Sequence, residues 1–300
     1  MKILLFGKQG QLGWELQRSL APLGSVIALD RHSAQLCGDL TDSAGIEKTI
    51  QTVRSQVIVN AAAYTAVDKA QSDVNLVRQV NAIAVAAMAR QAQAVDAWLV
   101  HYSTDYVFDG SGEQPWQEND ATAPLNVYGQ TKLEGEQFIA ALCPRHLIFR
   151  TSWVYGSRGG NFAKTMLRLA QERLRLTVVA DQFGAPTGAD LLADVTAHAL
   201  RQCLAAQSPQ NCAGLYHLAA AGTTSWHLYA KHVLAQVVTA QPAIKLIASE
   251  VTPVVTADFP TAAERPHNSR LDTSRLRNIF GLTLPPWQHG VNRLVQQLVA

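Results

Sequence analysis

The sequence predicts an α/β fold in which a doubly wound parallel sheet of the Rossmann type is followed by a smaller, mostly helical lobe. In the first 150 residues, short apolar runs alternate with longer helical patterns, and a glycine-rich segment, Gly7–Gly13, follows the first run. In the rest of the chain, helical patterns and prolines dominate. We therefore expect one domain over residues 1–150 and a second over residues 151–300.

Each apolar run in the first half is predicted to be a strand. The runs are continuous, as expected of parallel strands buried on both faces, and they cover Lys2–Phe6, Ser25–Asp30, Gln56–Asn60, Trp98–Tyr102 and His146–Arg150. The segments between them predict the helices Gln11–Ala21, Ser43–Arg54, Val74–Ala94 and Asn126–Leu142. A strand followed by a helix, repeated in this way, predicts right-handed crossovers.

The second half has a less regular pattern. A strand predicted at Leu176–Ala180 extends the sheet in our interpretation, so the first domain is expected to include a further strand near residues 176–180. Helices are predicted at Phe162–Glu172, Leu191–Ala206, Trp226–Val238, Thr273–Phe280 and Gly290–Ala300. Prolines punctuate the last fifty residues and argue against a second large sheet.

Composition excludes several classes of protein. A hydrophobic fraction of 48% rules out a disordered chain, and 25 Lys and Arg against 23 Asp and Glu predict no nucleic-acid partner. The four cysteines are scattered, which is typical of a reducing compartment. The first apolar run is too short for a signal peptide, and no run approaches the length of a membrane span. We therefore expect a cytoplasmic protein with no membrane partner.

The glycine-rich segment has the pattern G-x-x-G-x-x-G, formed by Gly7, Gly10 and Gly13, between the first strand and the first helix. Glycines there allow a tight turn, bring backbone N–H groups against a pyrophosphate and let the helix N-terminus face the anion. Spaced glycines also serve plain turns, and that alternative stays open for the motif taken alone. Its place in a βαβ unit indicates a dinucleotide-binding first domain, with the second lobe mostly for substrate.

Residues that follow later strands predict the rest of the dinucleotide site. Asp30 ends the second strand, where an acid bonds the ribose hydroxyls of NAD. Arg31 could pair with the 2′-phosphate of NADP instead, so NADPH and NADH both stay open. Asp39 and Leu40 are expected near the adenine, with a helix N-cap as the alternative for Asp39. The small residues of Asn60–Ala63 leave room for the ribose and phosphate on the nicotinamide side.

Tyr128 and Lys132 are four residues apart and therefore share one face of the predicted helix. A free tyrosine titrates near pH ~10, and a neighbouring ammonium lowers that pKa, which helps proton exchange at neutral pH. The strand Trp98–Tyr102 leads into Ser103 and Thr104, where a hydroxyl can bond both the tyrosine and a substrate carbonyl. We favour Thr104 for chemistry and expect Ser103 to be a packing or backbone-bonding hydroxyl.

With these motifs in this order, the sequence resembles the extended short-chain dehydrogenase/reductase family over nearly its whole length. Within it, the likeness is to reductases of dTDP-linked 4-keto-6-deoxyhexoses. The segments that carry the resemblance are GQLG at Gly10–Gly13, NAAAYTAVDKA at Asn60–Ala70, STDYVFDG at Ser103–Gly110, PLNVYGQTKLEGE at Pro124–Glu136, RTSWVYG at Arg150–Gly156, DQFGAPT at Asp181–Thr187 and RPHNSRLD at Arg265–Asp272. The resemblance implies a nucleotide-sugar substrate and a place in the biosynthesis of cell-surface polysaccharides such as lipopolysaccharide O-antigen.

The resemblance also implies residue roles. Tyr128 would donate a proton to the C4 carbonyl oxygen while NAD(P)H delivers hydride to C4, Lys132 would anchor the ribose, and Thr104 would assist. Thr104 and Asp105 would contact the sugar, and Trp153 would pack over it, with plain aromatic packing as the alternative for Trp153. The implied cofactor contacts are Gly7, Gly10, Gln11, Leu12, Gly13, Asp30, Asp39, Leu40, Ala62, Ala63, Tyr64, Tyr102, Tyr128 and Lys132.

Three other activities are known on folds of this kind. Related nucleotide-sugar 4,6-dehydratases typically carry Thr-Asp-Glu at this strand end, whereas Thr104-Asp105-Tyr106 offers no second carboxylate, which disfavours dehydration. A nucleotide-sugar epimerase and a non-catalytic regulatory or binding subunit remain as alternatives.

Weaker candidates concern a metal and the diphosphate. Members of the resembling reductases can bind magnesium through carboxylates near the contact of a homodimer. Glu15 and Asp190 are the candidates here, although charge pairing or solvent exposure is favoured and no metal site is otherwise expected. Arg265, with Asn268 and Ser269, could hold a substrate diphosphate, and an ion pair across the lobes is the alternative for Arg265.

Overall fold

A computed structural model describes residues 1–208 and 211–300, and its centre is a six-stranded parallel sheet. The strands are β1 (Lys2–Phe6), β2 (Ser25–Leu29), β3 (Val57–Asn60), β4 (Trp98–Thr104), β5 (His146–Thr151) and β10 (Gly214–His217). Their order across the sheet is β10-β5-β4-β3-β1-β2, with parallel pairing throughout. The predicted doubly wound parallel sheet is confirmed.

The order in which strands join the sheet reverses beside β1. β2 lies on one side of β1, and β3, β4 and β5 follow one another on the other side. In open α/β sheets, ligands bind at such a reversal, outside the carboxyl ends of the strands. At that edge β1 leads into Gly7, β3 leads into Ala61, and β4 ends at Thr104. The topology therefore brings the predicted phosphate loop and the predicted catalytic threonine to one edge of the sheet.

Helices cover both faces of the sheet. One face carries α1 (Gln11–Leu20) and α8 (Ala189–Ala205), and the other carries α2 (Ser43–Val53), α5 (Ala84–Ala94) and α6 (Val127–Leu142). Alternate residues of β1 serve the two cores: Ile3 and Leu5 pack with α1 and α8, whereas Leu4 and Phe6 pack with α2 and α5. Because both sets are buried, β1 has the continuous apolar sequence from which it was predicted.

The helix predicted over Val74–Ala94 is one helical segment with a π-helical turn inside it. Its parts are α4 (Val74–Arg78), the turn (Gln79–Ile83) and α5, and the short α3 (Val67–Ala70) precedes it. The turn carries the buried Asn81, whose Oδ1 accepts from the Tyr64 N–H at 2.9 Å and whose Nδ2 donates to the Tyr64 carbonyl at 3.1 Å. These bonds hold the loop after β3 against the helix.

Three two-stranded sheets and the remaining helices make up the rest of the described chain. β7 (Arg175–Val179) pairs with β12 (Glu250–Val254), β6 (Val154–Tyr155) with β9 (Thr187–Gly188), and β8 (Phe183–Gly184) with β11 (Thr224–Ser225). The helices are α7 (Phe162–Glu172), α9 (Trp226–Ala240), α10 (Ser274–Phe280) and α11 (Trp287–Val299). None of the described helices is long and apolar enough to cross a bilayer.

The strand expected near residues 176–180 forms, but it does not join the central sheet. Leu176 and Val178 are buried while Arg175 and Thr177 are exposed, so this strand has only one face to cover and pairs with β12 alone. The sixth place in the sheet belongs to β10, and α8 packs on α1 against the sheet. The prediction that this strand extends the central sheet is therefore wrong. The chain does return to the sheet after residue 150, but it does so with β10.

Candidate active site

The phosphate loop is built so that two of its glycines have no substitute. Gly7 has a φ of +91°, and a Cβ on it would lie 2.7 Å from the Ala62 nitrogen, while a Cβ on Gly13 would lie 2.0 Å from the Gly7 carbonyl oxygen. Gly10 precedes the first turn of α1, and no side chain caps that turn. The backbone N–H groups of Gln11 and Leu12 therefore stand at a helix start that fits the pyrophosphate of a dinucleotide.

Asp30 follows β2 beside this loop, and polar groups surround it. Its carboxylate accepts from the His32 N–H at 2.9 Å and the Ser33 hydroxyl at 3.3 Å, and it lies 3.6 Å from Lys8 Nζ. Burial raises the pKa of Asp30, but the His32 N–H and the Lys8 charge outweigh it and leave that pKa lowered. Arg31 is exposed beside it, so an acid and two cations share the predicted ribose end.

The structure places the four residues that were predicted to lie near the adenine and the nicotinamide. Asp39 is not a helix cap, because α2 is capped by Asp42, whose Oδ1 accepts from the Gly45 N–H at 2.9 Å. Leu40 is buried in the core. Ala62 contacts Gly7, and Ala63 follows it in the same loop.

Two tyrosines that were predicted to contact the cofactor have hydroxyl groups that hydrogen-bond with other protein side chains. The Tyr64 hydroxyl donates to Asp73 at 2.7 Å, and the Tyr102 hydroxyl lies 2.7 Å from Thr196 Oγ1 on the α8 side of the sheet. The Tyr102 carbonyl, by contrast, accepts from Lys132, so only the backbone of Tyr102 faces α6.

Tyr128, Thr104 and Asp105 meet where β4 ends. The Thr104 hydroxyl donates to Asp105 Oδ1 at 3.1 Å and accepts from the Tyr106 N–H at 3.2 Å, and it lies close enough to the Tyr128 phenol to oppose the rise of the Tyr128 pKa. The start of α6 is held there by Asn126, whose Oδ1 accepts from the Gly129 N–H at 2.9 Å. Burial raises the pKa of Tyr128 to about 12, against the opposing effect of Thr104, so the phenol is protonated at neutral pH.

Lys132 is buried in the same cluster but turns towards β4. Its Nζ donates to the Tyr102 carbonyl at 2.5 Å and lies 3.0 Å from His101 Nε2. Burial lowers the pKa of Lys132 to about 8, against the raising effect of Glu136. The pKa of Tyr128 responds to burial, Thr104 and Asp105, and its lowering by Lys132 stays a prediction.

Asp105 is the least satisfied group in the site. It is 2% exposed, and its Oδ2 has no hydrogen-bond partner among the described residues. Burial raises its pKa to about 7, although Ser269 and Thr104 oppose that shift by hydrogen bonding. Ser103, next to this pair, is also buried, and its hydroxyl likewise lacks a partner in the described chain.

The burial of Asp105 leads us to predict how the free energy of unfolding depends on pH. Because the folded pKa of Asp105 lies above its unfolded value of 3.8, the folded state favours the proton and loses stability as pH rises from about 4 to 7. We expect Asp105→Asn to raise the free energy of unfolding at pH 8 by about 2 kcal/mol and to change it little near pH 4. Urea titrations at both pH values test this, and a variant less stable than the wild type at pH 8 would contradict it.

Trp153 has a strained backbone and an aromatic partner. Its φ of +49° lies in the left-handed region, which costs free energy for a bulky residue. Its indole stacks on Trp226 with ring centroids 3.7 Å apart and packs so closely on Gly184 that a Cβ there would lie 2.8 Å away. The aromatic packing weighed from the sequence is thus present, and contact with the sugar stays a proposal.

The magnesium candidates are paired with arginines. Glu15 Oε2 lies 3.2 Å from Arg18 Nε, and Asp190 Oδ2 lies 3.4 Å from Arg293 Nη1. Both carboxylates line one cavity, yet residues 1–208 and 211–300 contain no group of three His, Cys, Asp or Glu side chains that could hold a metal ion. The structure therefore gives no support to magnesium at this position, and charge pairing accounts for both carboxylates.

The residues that were predicted to bind the substrate diphosphate also contact other protein groups. Arg265 Nη2 lies 2.7 Å from Asp68 Oδ2, which is the ion pair weighed as the alternative. Asn268 Nδ2 donates to the Gln114 carbonyl at 2.8 Å, and Ser269 lies close enough to Asp105 to oppose the rise of the Asp105 pKa. The site also contains Lys8, His101 and the side chain of Asn60, which were not predicted from the sequence. Their only signal is a polar residue just after a strand, within an apolar strand or at a strand end.

The chain is similar to known proteins over nearly its full length. The family model described as "RmlD substrate binding domain" matches residues 1–300. The chain is 58% identical over 298 residues to dTDP-4-dehydrorhamnose reductase of Shigella flexneri, covering 99% of this chain and 98% of that protein. The corresponding reductase of Escherichia coli K12 is 56% identical, with the same coverage.

Solved structures show the same likeness. A dTDP-4-dehydrorhamnose reductase from Clostridium acetobutylicum has a TM-score of 0.90 and 34% identity and covers 100% of both chains. The Bacillus anthracis enzyme in complex with NADP has a TM-score of 0.87 and 36% identity over 98% of each chain. By its full-length match and its reductase relatives, the chain belongs to the RmlD substrate binding domain family.

Proposed function

We propose that this chain reduces the C4 keto group of dTDP-4-dehydro-L-rhamnose with NAD(P)H to give dTDP-L-rhamnose, a precursor of cell-surface polysaccharides such as O-antigen. The relatives named above are dTDP-4-dehydrorhamnose reductases, and one of them is described in complex with NADP. An identity of 58% over 99% of the chain supports the same reaction here.

The observation that carries the proposal is the phenol of Tyr128 beside Thr104, at the carboxyl end of β4. Its pKa of about 12 keeps the phenol protonated at neutral pH, which is the state that a proton donor needs. The phosphate loop lies at the same edge of the sheet, at the end of β1. A proton donor and a dinucleotide site at one edge are what a carbonyl reductase requires.

In this mechanism a bound NAD(P)H supplies the hydride that goes to C4. Tyr128 Oη donates its proton to the carbonyl oxygen, and the Thr104 hydroxyl bonds the same oxygen and orients the phenol. Lys132 holds the nicotinamide ribose, while the loop Gly7–Gly13 binds the pyrophosphate through backbone N–H groups. Asp105 and Trp153 position the sugar.

The other cofactor contacts belong to the same proposal. They are Gly10, Gln11, Leu12, Asp30, Asp39, Leu40, Ala62, Ala63, Tyr64 and the backbone of Tyr102. We also propose that residues 1–150 bind mainly the dinucleotide and that residues 151–300 bind mainly the substrate. A homodimer and a cytoplasmic location remain predictions from the sequence.

A spectrophotometric assay tests the reaction. The protein is mixed with NADPH or NADH and dTDP-4-dehydro-L-rhamnose, and the absorbance of the reduced nicotinamide is followed. We expect loss of absorbance in stoichiometric amounts with the product. An epimerase or a binding subunit consumes no reduced cofactor, so a constant absorbance at saturating substrate would overturn the proposal. A panel of other keto-sugar nucleotides then defines the nucleotide and sugar specificity.

The choice of cofactor gives a separate prediction at Lys8. Lys8 Nζ lies 3.6 Å from Asp30 Oδ2 and 3.5 Å from Ser33 Oγ, so it offsets the carboxylate charge that would repel a 2′-phosphate. We expect Lys8→Met to lower kcat/KM for NADPH relative to that for NADH by about tenfold. Asp30→Asn is the matched control and should change the ratio in the opposite direction. Equal losses with both cofactors would argue against this role of Lys8.

A further inference from the structure

A buried chain of hydrogen bonds runs from the end of β3 to Lys132. Asn60 Oδ1 accepts from the Ala62 N–H at 3.1 Å, and Asn60 Nδ2 lies 3.1 Å from His101 Nδ1. His101 Nε2 lies 3.0 Å from Lys132 Nζ, which donates to the Tyr102 carbonyl. Asn60, His101 and Lys132 are each 1% exposed, so water does not satisfy these groups. The reaction proposed above uses only the last member of this chain.

The direction of each hydrogen bond follows from the backbone at one end. The Ala62 N–H can only donate, so it assigns Asn60 Oδ1 as the acceptor and leaves Asn60 Nδ2 to donate. His101 Nδ1 must then accept, which places the proton of the neutral imidazole on Nε2. Burial holds the pKa of His101 well below its usual value, and a charge on Lys132 lowers it further, so the ring is neutral in either charge state of Lys132.

This arrangement discriminates between the two charge states of Lys132. An Nε2–H group donates to a neutral amine but opposes an ammonium, which has no lone pair to accept it. An ammonium would require the proton on Nδ1 and a reversed Asn60 amide, which would leave the Ala62 N–H without its acceptor. Ala62 lies against Gly7, so the charge of Lys132 is linked to the backbone beside the phosphate loop.

No other charged group near Lys132 links its charge to the hydrogen-bond chain in the way that His101 does. Glu136, on the same helix, raises the pKa of Lys132, but its carboxylate is shared with Arg150 of β5 in a buried ion pair at 2.6 Å. Tyr128, one turn away on α6, is a neutral phenol at neutral pH. His101 is therefore the one polar side chain of β4 that meets the Lys132 amine in the described chain.

We propose that His101 is a positioning residue which, through the Asn60 amide, sets the pH range in which Lys132 carries a charge and holds the cofactor. The inference rests on the proposed function for the role of Lys132, but the hydrogen-bond chain itself does not depend on the substrate. His101 touches neither substrate nor reacting atoms and acts only through Lys132.

Two variants test the proposal through NADPH binding, which needs no turnover. His101→Gln brings a carbonyl oxygen that can accept from an ammonium. The nearly isosteric Asn60→Asp forces the His101 proton onto Nδ1, so that Nε2 accepts. Both changes favour the charged lysine, and we expect each to move the basic limb of the pH profile of NADPH affinity upward by about one pH unit. His217→Gln is the control, because His217 is equally buried but bonds Trp116 instead.

The side-chain nitrogen shifts of His101, measured by NMR on 15N-histidine-labelled protein, provide a second readout. We expect a neutral ring whose Nε2–H form increases as pH rises through the Lys132 transition, and an Nδ1–H form at every pH in Asn60→Asp. Superimposable binding profiles for the wild type and Asn60→Asp would overturn the proposal, as would a His101 tautomer that does not respond to pH. If His101→Gln fails to fold, the binding profile of Asn60→Asp and the NMR measurement of the His101 tautomer still test the proposal. A wild type that binds NADPH but reduces no keto sugar would refute the proposed function and leave this inference standing.

Discussion

Replacing Tyr128 by phenylalanine is expected to lower kcat about a hundredfold or more while leaving the dissociation constant of NADPH nearly unchanged. The variant keeps the aromatic ring against Tyr106, which lies edge-on with ring centroids 5.8 Å apart, and removes only the hydroxyl. The lost group is the hydroxyl beside Thr104, which in the proposed mechanism supplies the proton to the sugar oxygen. The measurement is initial-rate kinetics together with a fluorescence titration of NADPH.

Thr104→Val is the companion variant. It removes the hydroxyl that contacts the phenol, so it should also lower kcat, by a smaller factor than Tyr128→Phe. A Tyr128→Phe enzyme with wild-type kcat would show that another group donates the proton. Asp105, with its pKa of about 7, would then be the first alternative to examine.

The largest loss of stability is expected from Glu136→Gln. Glu136 and Arg150 form a two-pronged ion pair, with Arg150 Nε to Oε1 at 3.0 Å and Nη2 to Oε2 at 2.6 Å, and both side chains are about 5% exposed. Removing the carboxylate charge leaves a guanidinium in the core, which costs about 3–5 kcal/mol of unfolding free energy. Urea unfolding at pH 7 measures the difference.

The same helix provides the control. Glu134 also pairs with an arginine, Arg78, at 2.5 Å, but that guanidinium is 53% exposed. Glu134→Gln should therefore cost no more than about 1 kcal/mol. The double variant Glu136→Leu/Arg150→Met should recover most of the stability lost in Glu136→Gln, because it leaves no unpaired charge. Equal losses at Glu134 and Glu136 would contradict the argument from burial.

Much of the fold could be predicted because the apolar runs are local. β1 to β5 lie within two residues of their predicted bounds, since strands buried on both faces must be apolar at every position. β10 was missed: its four residues include a glycine and a histidine and have no such pattern. β7 was predicted to extend the central sheet but pairs with β12, because a strand's own residues do not determine which distant strand it joins.

For the site, too, some features could be predicted from the sequence and others could not. Tyr128, Thr104 and the glycines of the phosphate loop could be predicted, because helical spacing and the carboxyl ends of parallel strands determine where such residues lie. The orientation of Lys132 could not be predicted. Its long side chain has several acceptors within reach, and its choice depends on a carbonyl and an imidazole of β4, some thirty residues earlier in the chain.

The sequence by itself therefore determined the first five strands of the sheet and the family of chemistry, because both depend on patterns between residues that are close together in the chain. Only the tertiary structure decided which ionisable groups lose water and which partners they acquire. The pKa values of Tyr128, Lys132 and Asp105 depend on burial by segments far apart in sequence, and no local pattern records that burial.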